Sequence, residues 1–253
     1  MLTRRVVACL DVWHGRVVKG VRFEALADIG NPLSIARRAE RSGADEIVLL
    51  DIAASAEDRD TYLDVVRQIA GRLFIPLIVG GGIRSADDMA RALRAGADKV
   101  SVNSAAVQRP ELLDECARRF GAQCVVASID ARRSGATWVV STHGGRRATT
   151  RDAVTWAREC AARGAGEILL TSIDRDGART GYDLELTRAV SEAVCVPVIA
   201  SGGAGKAAHL QDVFTHGAAD AALVAGILHD SQTTVYQLKG VLARAGIPVR
   251  QFA

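Results

Sequence analysis

The sequence predicts a parallel (β/α)8 barrel built from two similar half-barrels, and three observations lead to it. The first is an internal repeat. GADEIVLL at Gly43 to Leu50 returns as GAGEILLT at Gly164 to Thr171, and IPLIVGGG at Ile75 to Gly82 returns as VPVIASGG at Val196 to Gly203, each 121 residues later. ACLD ending at Asp11 is echoed by ASID ending at Asp130, 119 residues on. A period this long lies outside the range of solenoid repeats and marks two fused half-domains. The second observation is an alternation of short apolar runs with amphipathic stretches of helix length. The third is length. With 253 residues and no Pro/Gly/Ser-rich linker between the halves, the chain fits one barrel domain of about 250 residues better than two ordinary domains.

Taken in order, the strand candidates are VVACLD (6–11), IVLLD (47–51), PLIVG (76–80), KVSVN (99–103), CVVASID (124–130), ILLTS (168–172), PVIAS (197–201) and AALVA (221–225). Their apolar residues run on without alternation, as in strands covered on both faces of a parallel sheet. Between them PLSIARRAERSG, SADDMARALRAG, RPELLDECARRFG, TRDAVTWARECAARG and KAAHLQDVFTHG space apolar residues three or four apart and mostly close on glycine, the usual helix stop. Eight such units make a TIM barrel and four make half of one. Two connections are long. Val12 to Gly30, containing GRVVKGVRF, separates strand one from its helix, and ARRSGATWVVSTHGGRRAT after Asp130 reads as an inserted hairpin. Long βα connections lie over the active face, so both are expected to act as lids.

Composition narrows the function. With 49% hydrophobic and 24% charged residues the chain reads as soluble and globular. A net charge of +3 with dispersed basic residues argues against nucleic acid and suits anionic small molecules. No apolar stretch approaches the roughly 20 residues of a membrane span, and the apolar start of MLTRRVVACLDV is cut short by Asp11 without a small-residue cleavage site. Cys9, Cys116, Cys124, Cys160 and Cys195 form an odd set with no C-x-x-C, which reads as free thiols in a reducing cytoplasm. The histidines lack metal-binding spacing, no G-x-G-x-x-G follows the first strand, and SGGAGK lacks the full P-loop pattern. Neither a metal nor a cofactor is expected.

Asp11 and Asp130 end strands one and five, which face each other across an eight-stranded barrel. Each follows an apolar or small run, so its carboxyl enters a partly desolvated mouth where its pKa rises toward the range useful for acid/base work. Helix capping or loop anchoring would explain a lone aspartate better than a symmetric pair. Gly80 to Gly82 and Ser101 to Ala105, with Asn103 and Ser104, end strands three and four. Ser201 to Gly205, with Gly203, and Val224, Ala225 and Gly226 end strands seven and eight. Glycine lets a phosphate approach the backbone amides, and a following helix N-terminus adds a favourable dipole. One Gly-Gly is a tight turn; two in register suit a ligand with a phosphate at each end.

Lys19 and Asp176 lie on connections at the same face. In IDRDGARTG, Asp174, Asp176 and Gly177 follow strand six, where a carboxylate can hold a ribose hydroxyl or orient a catalytic group; solvated loops are the alternative for both segments. At the opposite end Arg5, Glu46, Lys99 and Glu167 begin strands one, two, four and six. Parity with Asp11, Asn103 and Thr171 turns Arg5, Lys99 and Glu167 into the barrel floor. Buried charges must pair, so a salt-bridge cluster closing the core is the first reading and a gate the second. Cys9, Ser101 and Thr171 are small residues of interior parity above it, able to leave a narrow passage for a small neutral molecule.

These residues closely resemble the cyclase subunit of imidazole glycerol phosphate synthase, a family of histidine biosynthesis. The likeness runs through RRVVACLDV, GRVVKG, LLDIAAS, VGGGIRS, GADKVSVN, SIDARR, THGGRR, GAGEILLTSIDRDG, GYDLELTR and PVIASGGAG and covers essentially the whole chain. It implies an enzyme that takes ammonia from a separate glutaminase subunit docked on the barrel floor, forming a heterodimer. The ammonia attacks a bisphosphorylated phosphoribulosyl-formimino aminoimidazole carboxamide ribotide to yield imidazole glycerol phosphate and aminoimidazole carboxamide ribotide. The resemblance assigns the acid/base pair to Asp11 and Asp130, and the mobile-loop lysine to Lys19. It assigns substrate contacts to Gly82, Asn103, Asp176, Gly177 and Gly203, with which Ser104, Thr171, Ala225 and Gly226 are grouped. It implies an ammonia gate at Arg5, Glu46, Lys99 and Glu167, and a glutaminase-facing position at Asp98.

The chain departs from the family pattern at Trp13 and His14, where Lys-Asp is common, at Ala27, where arginine is common, and at Val224 to Gly226, where Ala-Ala-Ser is common. The last change removes a hydroxyl beside the second inferred phosphate. The rival readings are the sister isomerase of the same pathway, a paralogue using ammonia on a surface sugar, and a non-catalytic phosphate-binding scaffold for a glutaminase. ACLDVWHGRVVKG and ILLTSIDRDG look like the cyclase, the matched phosphate sites disfavour the paralogue, and Asp11 with Asp130 disfavours the scaffold.

Overall fold

Burial on both faces makes the apolar runs into staves of a closed sheet. The structure, a computed structural model, describes residues 2–21, 24–52, 54 and 62–251, and their side chains except at 20–21 and 24–26. Part of GRVVKGVRF and of LLDIAAS falls outside these. The strands in chain order are β1 (Arg5–Trp13), β2 (Arg16–Val21), β3 (Glu24–Gly30), β4 (Glu46–Asp51), β5 (Leu77–Gly80), β6 (Lys99–Val102), β7 (Val125–Ser134), β8 (Thr137–Thr142), β9 (Arg147–Asp152), β10 (Glu167–Ser172), β11 (Val198–Ser201) and β12 (Ala221–Val224). Of these, β1, β4, β5, β6, β7, β10, β11 and β12 pair in parallel, and the β12–β1 and β7–β10 ladders close the ring. All eight expected strands are present, and the architecture is a (β/α)8 barrel.

Period-two alternation splits each stave between two cores. Val7, Cys9, Val48, Ile78, Val126, Leu169, Ile199, Ala221 and Leu223 fill the barrel interior. Their neighbours, among them Val6, Leu10, Ile47, Leu77, Val100, Ile129 and Ile168, pack outward against the helices. Those helices include α1 (Pro32–Arg41), α2 (Leu63–Ala70), α3 (Ala86–Arg94), α4 (Ser104–Gln108), α5 (Glu111–Phe120), α6 (Ala153–Ala162), α7 (Leu184–Ser191), α8 (Ala207–Thr215), α9 (Gly226–His229) and α10 (Val235–Arg244). Asn31, Ser85, Asp152 and Asp183 cap α1, α3, α6 and α7 by accepting a backbone N–H with their side chains, and Thr234 with Gln237 forms a capping box on α10. Four of the five glycine stops, at Gly43, Gly96, Gly121 and Gly164, take the left-handed φ of a helix terminator. The fifth does not. After α8 it is Ala218 that is left-handed, while a Cβ on Gly217 would sit 2.7 Å from the Val213 carbonyl oxygen, so Gly217 serves a close approach instead.

The first long connection is not an open loop. β1 turns through His14 and Gly15, both at positive φ, into β2, which pairs antiparallel with β1 and β3. Val17 and Val18 are buried there, and the strand extension gives the backbone hydrogen-bond partners that a bare loop would lack. The second connection contains the expected hairpin plus one more strand: β7, β8 and β9 form an antiparallel meander over the barrel mouth.

Candidate functional site

Inward parity on the staves brings the acidic candidates to one mouth, over a cavity of about 750 Å³. Asp11 continues the inward row of Cys9 on β1, and Asp130 that of Val126 on β7; both line the cavity with Asp176 from the loop after β10. The Cys9 thiol lies 3.5 Å from Asp11 Oδ1, and Asn103 Nδ2 donates to Asp130 Oδ2 at 2.8 Å. Thr171 stands beside Asp130 in the β7–β10 register. Burial, followed by the nearby Asp176 carboxylate, pushes both Asp11 and Asp130 up to about 7. Burial also raises Asp176, opposed by the Gly177 N–H. Two carboxyls poised at neutrality beside a third can accept and return protons at physiological pH.

Asp176 therefore has a checkable electrostatic effect. Removing its charge in Asp176→Asn lowers the pKa of both Asp11 and Asp130, so the pH profile of kcat moves toward acid. Rates measured across pH would show this; an unmoved profile would separate Asp176 from the pair.

The two glycine turns occupy equivalent places on opposite rims. Gly81 and Gly82 after β5, and Gly202 and Gly203 after β11, all have positive φ. A Cβ on Gly81 would lie 2.1 Å from the Asp51 carbonyl oxygen, and one on Gly203 2.1 Å from that of Gly181, so no side chain fits at either place. Gly82, Asn103 and Ser104 line one side of the cavity; Gly177, Gly203, Ala225 and Gly226 line the other. The helices α4 and α9 start at Ser104 and Gly226. Ser104 also accepts the His143 N–H at 2.9 Å, which ties the β8–β9 turn to the first cradle.

Lys19, on β2, donates to both carboxylate oxygens of Asp230 at 2.7 Å, and Arg179 donates to the same group. Arg179 and Asp230 were not singled out from the sequence. Nor were Arg84, Arg109 and His143, which also line the cavity. Arg179 had one legible signal, its place two residues after Gly177 in a Gly-rich loop; Asp230 had none.

At the barrel floor Arg5, Glu46, Lys99 and Glu167 close a four-membered ring. Arg5 pairs with Glu46 at 2.7 Å and with Glu167, and Lys99 lies 2.7 Å from each carboxylate. The carboxylates are buried, while the Lys99 and Arg5 side chains keep 23% and 26% of their exposure; the cations are thus the parts of the ring that reach outside. Burial raises Glu46, opposed by Lys99. Between ring and mouth lies an apolar layer that includes Val7, Val48, Ile78, Leu169 and Ile199. Cys9, Ser101 and Thr171 stand above it and line the cavity. Asp98 is exposed beside Lys99, and its carboxylate accepts the Leu77 N–H at 2.8 Å. Asp45 and Asp220 accept the Val6 and Val198 N–H groups in the same way, so this bond alone is a recurrent strand-start device.

Among the described residues no group of three or more His, Cys, Asp or Glu is placed to hold a metal ion, and no helix is long and apolar enough to cross a membrane. Fold and site together define a class: a (β/α)8-barrel enzyme with carboxyls at its mouth between two glycine-turn rims. Residues 5–234 match the family described as histidine biosynthesis protein. The chain is 69% identical over 250 residues to imidazole glycerol phosphate synthase subunit HisF of Myxococcus xanthus, and 60% identical over 250 residues to the protein of that name in Acidobacterium capsulatum, covering 99% of each chain in both pairs. The chain belongs to the HisF family of imidazole glycerol phosphate synthase subunits.

Proposed function

We propose that the chain works as one barrel in the cytoplasm, as the ammonia-dependent cyclase half of a heterodimer with a glutaminase subunit. Its substrate is the bisphosphorylated phosphoribulosyl-formimino aminoimidazole carboxamide ribotide. One phosphate rests against Gly82, Asn103 and Ser104, the other against Gly177, Gly203, Ala225 and Gly226, which stretches the reacting atoms across the mouth between Asp11 and Asp130. Nitrogen addition, bond cleavage and ring closure each move protons, and the two carboxyls take the acid and base roles. Asp176 sets their pKa values and Thr171 borders Asp130. Lys19 closes over the second phosphate. Ammonia enters through the ring of Arg5, Glu46, Lys99 and Glu167, and Asp98 faces the partner.

The observation that carries this reading is the pair of carboxyls near neutrality at the centre of a cavity with matched glycine rims. The deciding experiment is turnover of that substrate by the purified chain with ammonium salt and no partner. Both imidazole glycerol phosphate and aminoimidazole carboxamide ribotide are expected. Tight binding without turnover would overturn the catalytic reading in favour of a scaffold.

A further inference from the structure

At the second cradle, the rim of Gly177, Gly203, Ala225 and Gly226, two cations share one carboxylate. α4 begins with Ser104, whereas α9 begins with Gly226. A Cβ on Gly226 would lie 3.3 Å from Nη2 of Arg179, a contact tight enough that the guanidinium would have to yield, and 3.8 Å from Cε of Lys19. Arg179 thus occupies the space where a side chain at position 226 would begin. Both cations are held by Asp230, Lys19 with its Nζ 2.7 Å from either oxygen and Arg179 through Nη2 to Oδ2. The three residues come from separate parts of the fold, β2, the loop after β10, and the residue following α9. Their side chains are 28 to 31% exposed, so solvent and ligand can reach them. Two cations share one anion, and the Lys19 and Arg179 bonds keep the Asp230 carboxyl below its usual range, hence ionised. The cluster therefore keeps one unmatched positive charge at the rim of the cavity. A carboxylate gripped by arginine and lysine occupies the kind of setting in which a phosphate is bound, and a guanidinium has donors enough to serve both at once.

We infer that Arg179 binds the substrate phosphate at the second cradle, in the space that Gly226 leaves open, and that Asp230 is its positioning residue, holding Arg179 and Lys19 beside the cradle. This assignment rests on the bisphosphate reading above and adds a side-chain contact to its second cradle. The phosphate is remote from the reacting atoms, so loss of the contact should weaken substrate binding and leave the chemical step nearly intact.

The test is ammonium-driven turnover by Arg179→Ala, Gly226→Ser, the double variant and Asp230→Asn. Arg179→Ala is expected to raise KM by about tenfold or more with kcat within about threefold. Gly226→Ser should raise KM in the parent, because its Cβ crowds the guanidinium. In the Arg179→Ala background the same substitution should lower KM, because the hydroxyl then fills the vacated place. That reversal of sign is not expected of residues with a merely structural role. Asp230→Asn should raise KM by about threefold to tenfold and steepen its dependence on salt, since two cations then stand unmatched. Inhibition by inorganic phosphate, measured on the same proteins, should weaken with Arg179→Ala. If Gly226→Ser acts in the same direction in both backgrounds, or if Arg179→Ala lowers kcat and spares KM, the assignment of Arg179 is wrong while the cyclase reading stands. A parent chain that fails to turn over the bisphosphate would remove the broader reading instead.

Discussion

Asp11→Asn is expected to lower kcat for cyclisation by about 10²- to 10⁴-fold, while substrate binding stays within about tenfold, roughly 1.4 kcal/mol. Asparagine keeps the shape of the side chain and its place above Cys9 but cannot carry a proton between substrate atoms. The glycine rims, proposed above to hold the phosphates, line other parts of the cavity and are untouched. Single-turnover kinetics with ammonium, beside calorimetric binding of the substrate, would separate the two effects. Unimpaired turnover would end the acid/base assignment, and Asp130→Asn should behave alike.

The same substitution should stabilise the fold at alkaline pH. Asp11 titrates at about 7 in the folded chain and near 3.9 when unfolded. Between those values the folded state binds more protons than the unfolded state, so stability falls as pH rises through the window and stays lowered above it. Below the unfolded value the carboxyl is neutral in both states and contributes nothing. Because the cavity admits water, we expect a gain of roughly 1–2 kcal/mol for Asp11→Asn at pH about 8 and less at pH about 5. Thermal melts at both pH values check this; an equal gain at both would mean that the cost does not come from holding a charge in the mouth.

Lys99→Ala is expected to uncouple glutamine hydrolysis from product formation in the complex with the glutaminase, while sparing turnover with added ammonium. Lys99 is the ring member that spans Glu46 and Glu167 opposite Arg5. Removing it opens the floor on one side and leaves two buried carboxylates to share a single guanidinium. The expected stability cost is about 1–3 kcal/mol, below that of a fully buried pair because the lysine is partly exposed. Ammonia generated by the partner would then escape at the floor, so product formed per glutamine consumed should fall by about tenfold, roughly 1.4 kcal/mol of coupling. Lys99→Met, which restores bulk without charge, separates plugging from electrostatics. If product and glutamine stayed coupled as in the parent, the gate reading would fail and the ring would be a salt-bridge cluster closing the core.

Much of the site was legible before the fold was seen. Asp11, Asp130 and the two glycine turns each follow a strand-length apolar run, and strand-end residues of a (β/α)8 barrel converge on one mouth whatever their order in the chain. Parity likewise places Arg5, Lys99 and Glu167 at the floor, where they pair with Glu46. What stayed hidden are contacts between connections. Nothing in the spacing of Lys19, Arg179 and Asp230 brings them together; they meet because three separate segments end above the same rim. Nor does sequence reveal that the segment from Val12 to Gly30 pairs as β2 and β3, since its hydrogen bonds depend on an extension of β1 beyond the barrel.

The sequence by itself determined the eight-stave barrel, its half-barrel symmetry and the face that carries the carboxyls, because these follow from periodicities of two and 3.6 residues and from the repeat. Only the tertiary structure decided the strength of those carboxyls, the closure of the floor ring and the company kept by the second cradle. Burial and charge act through space over a few ångströms, and which groups come that close is settled only when the sheet closes and its connections pack across it.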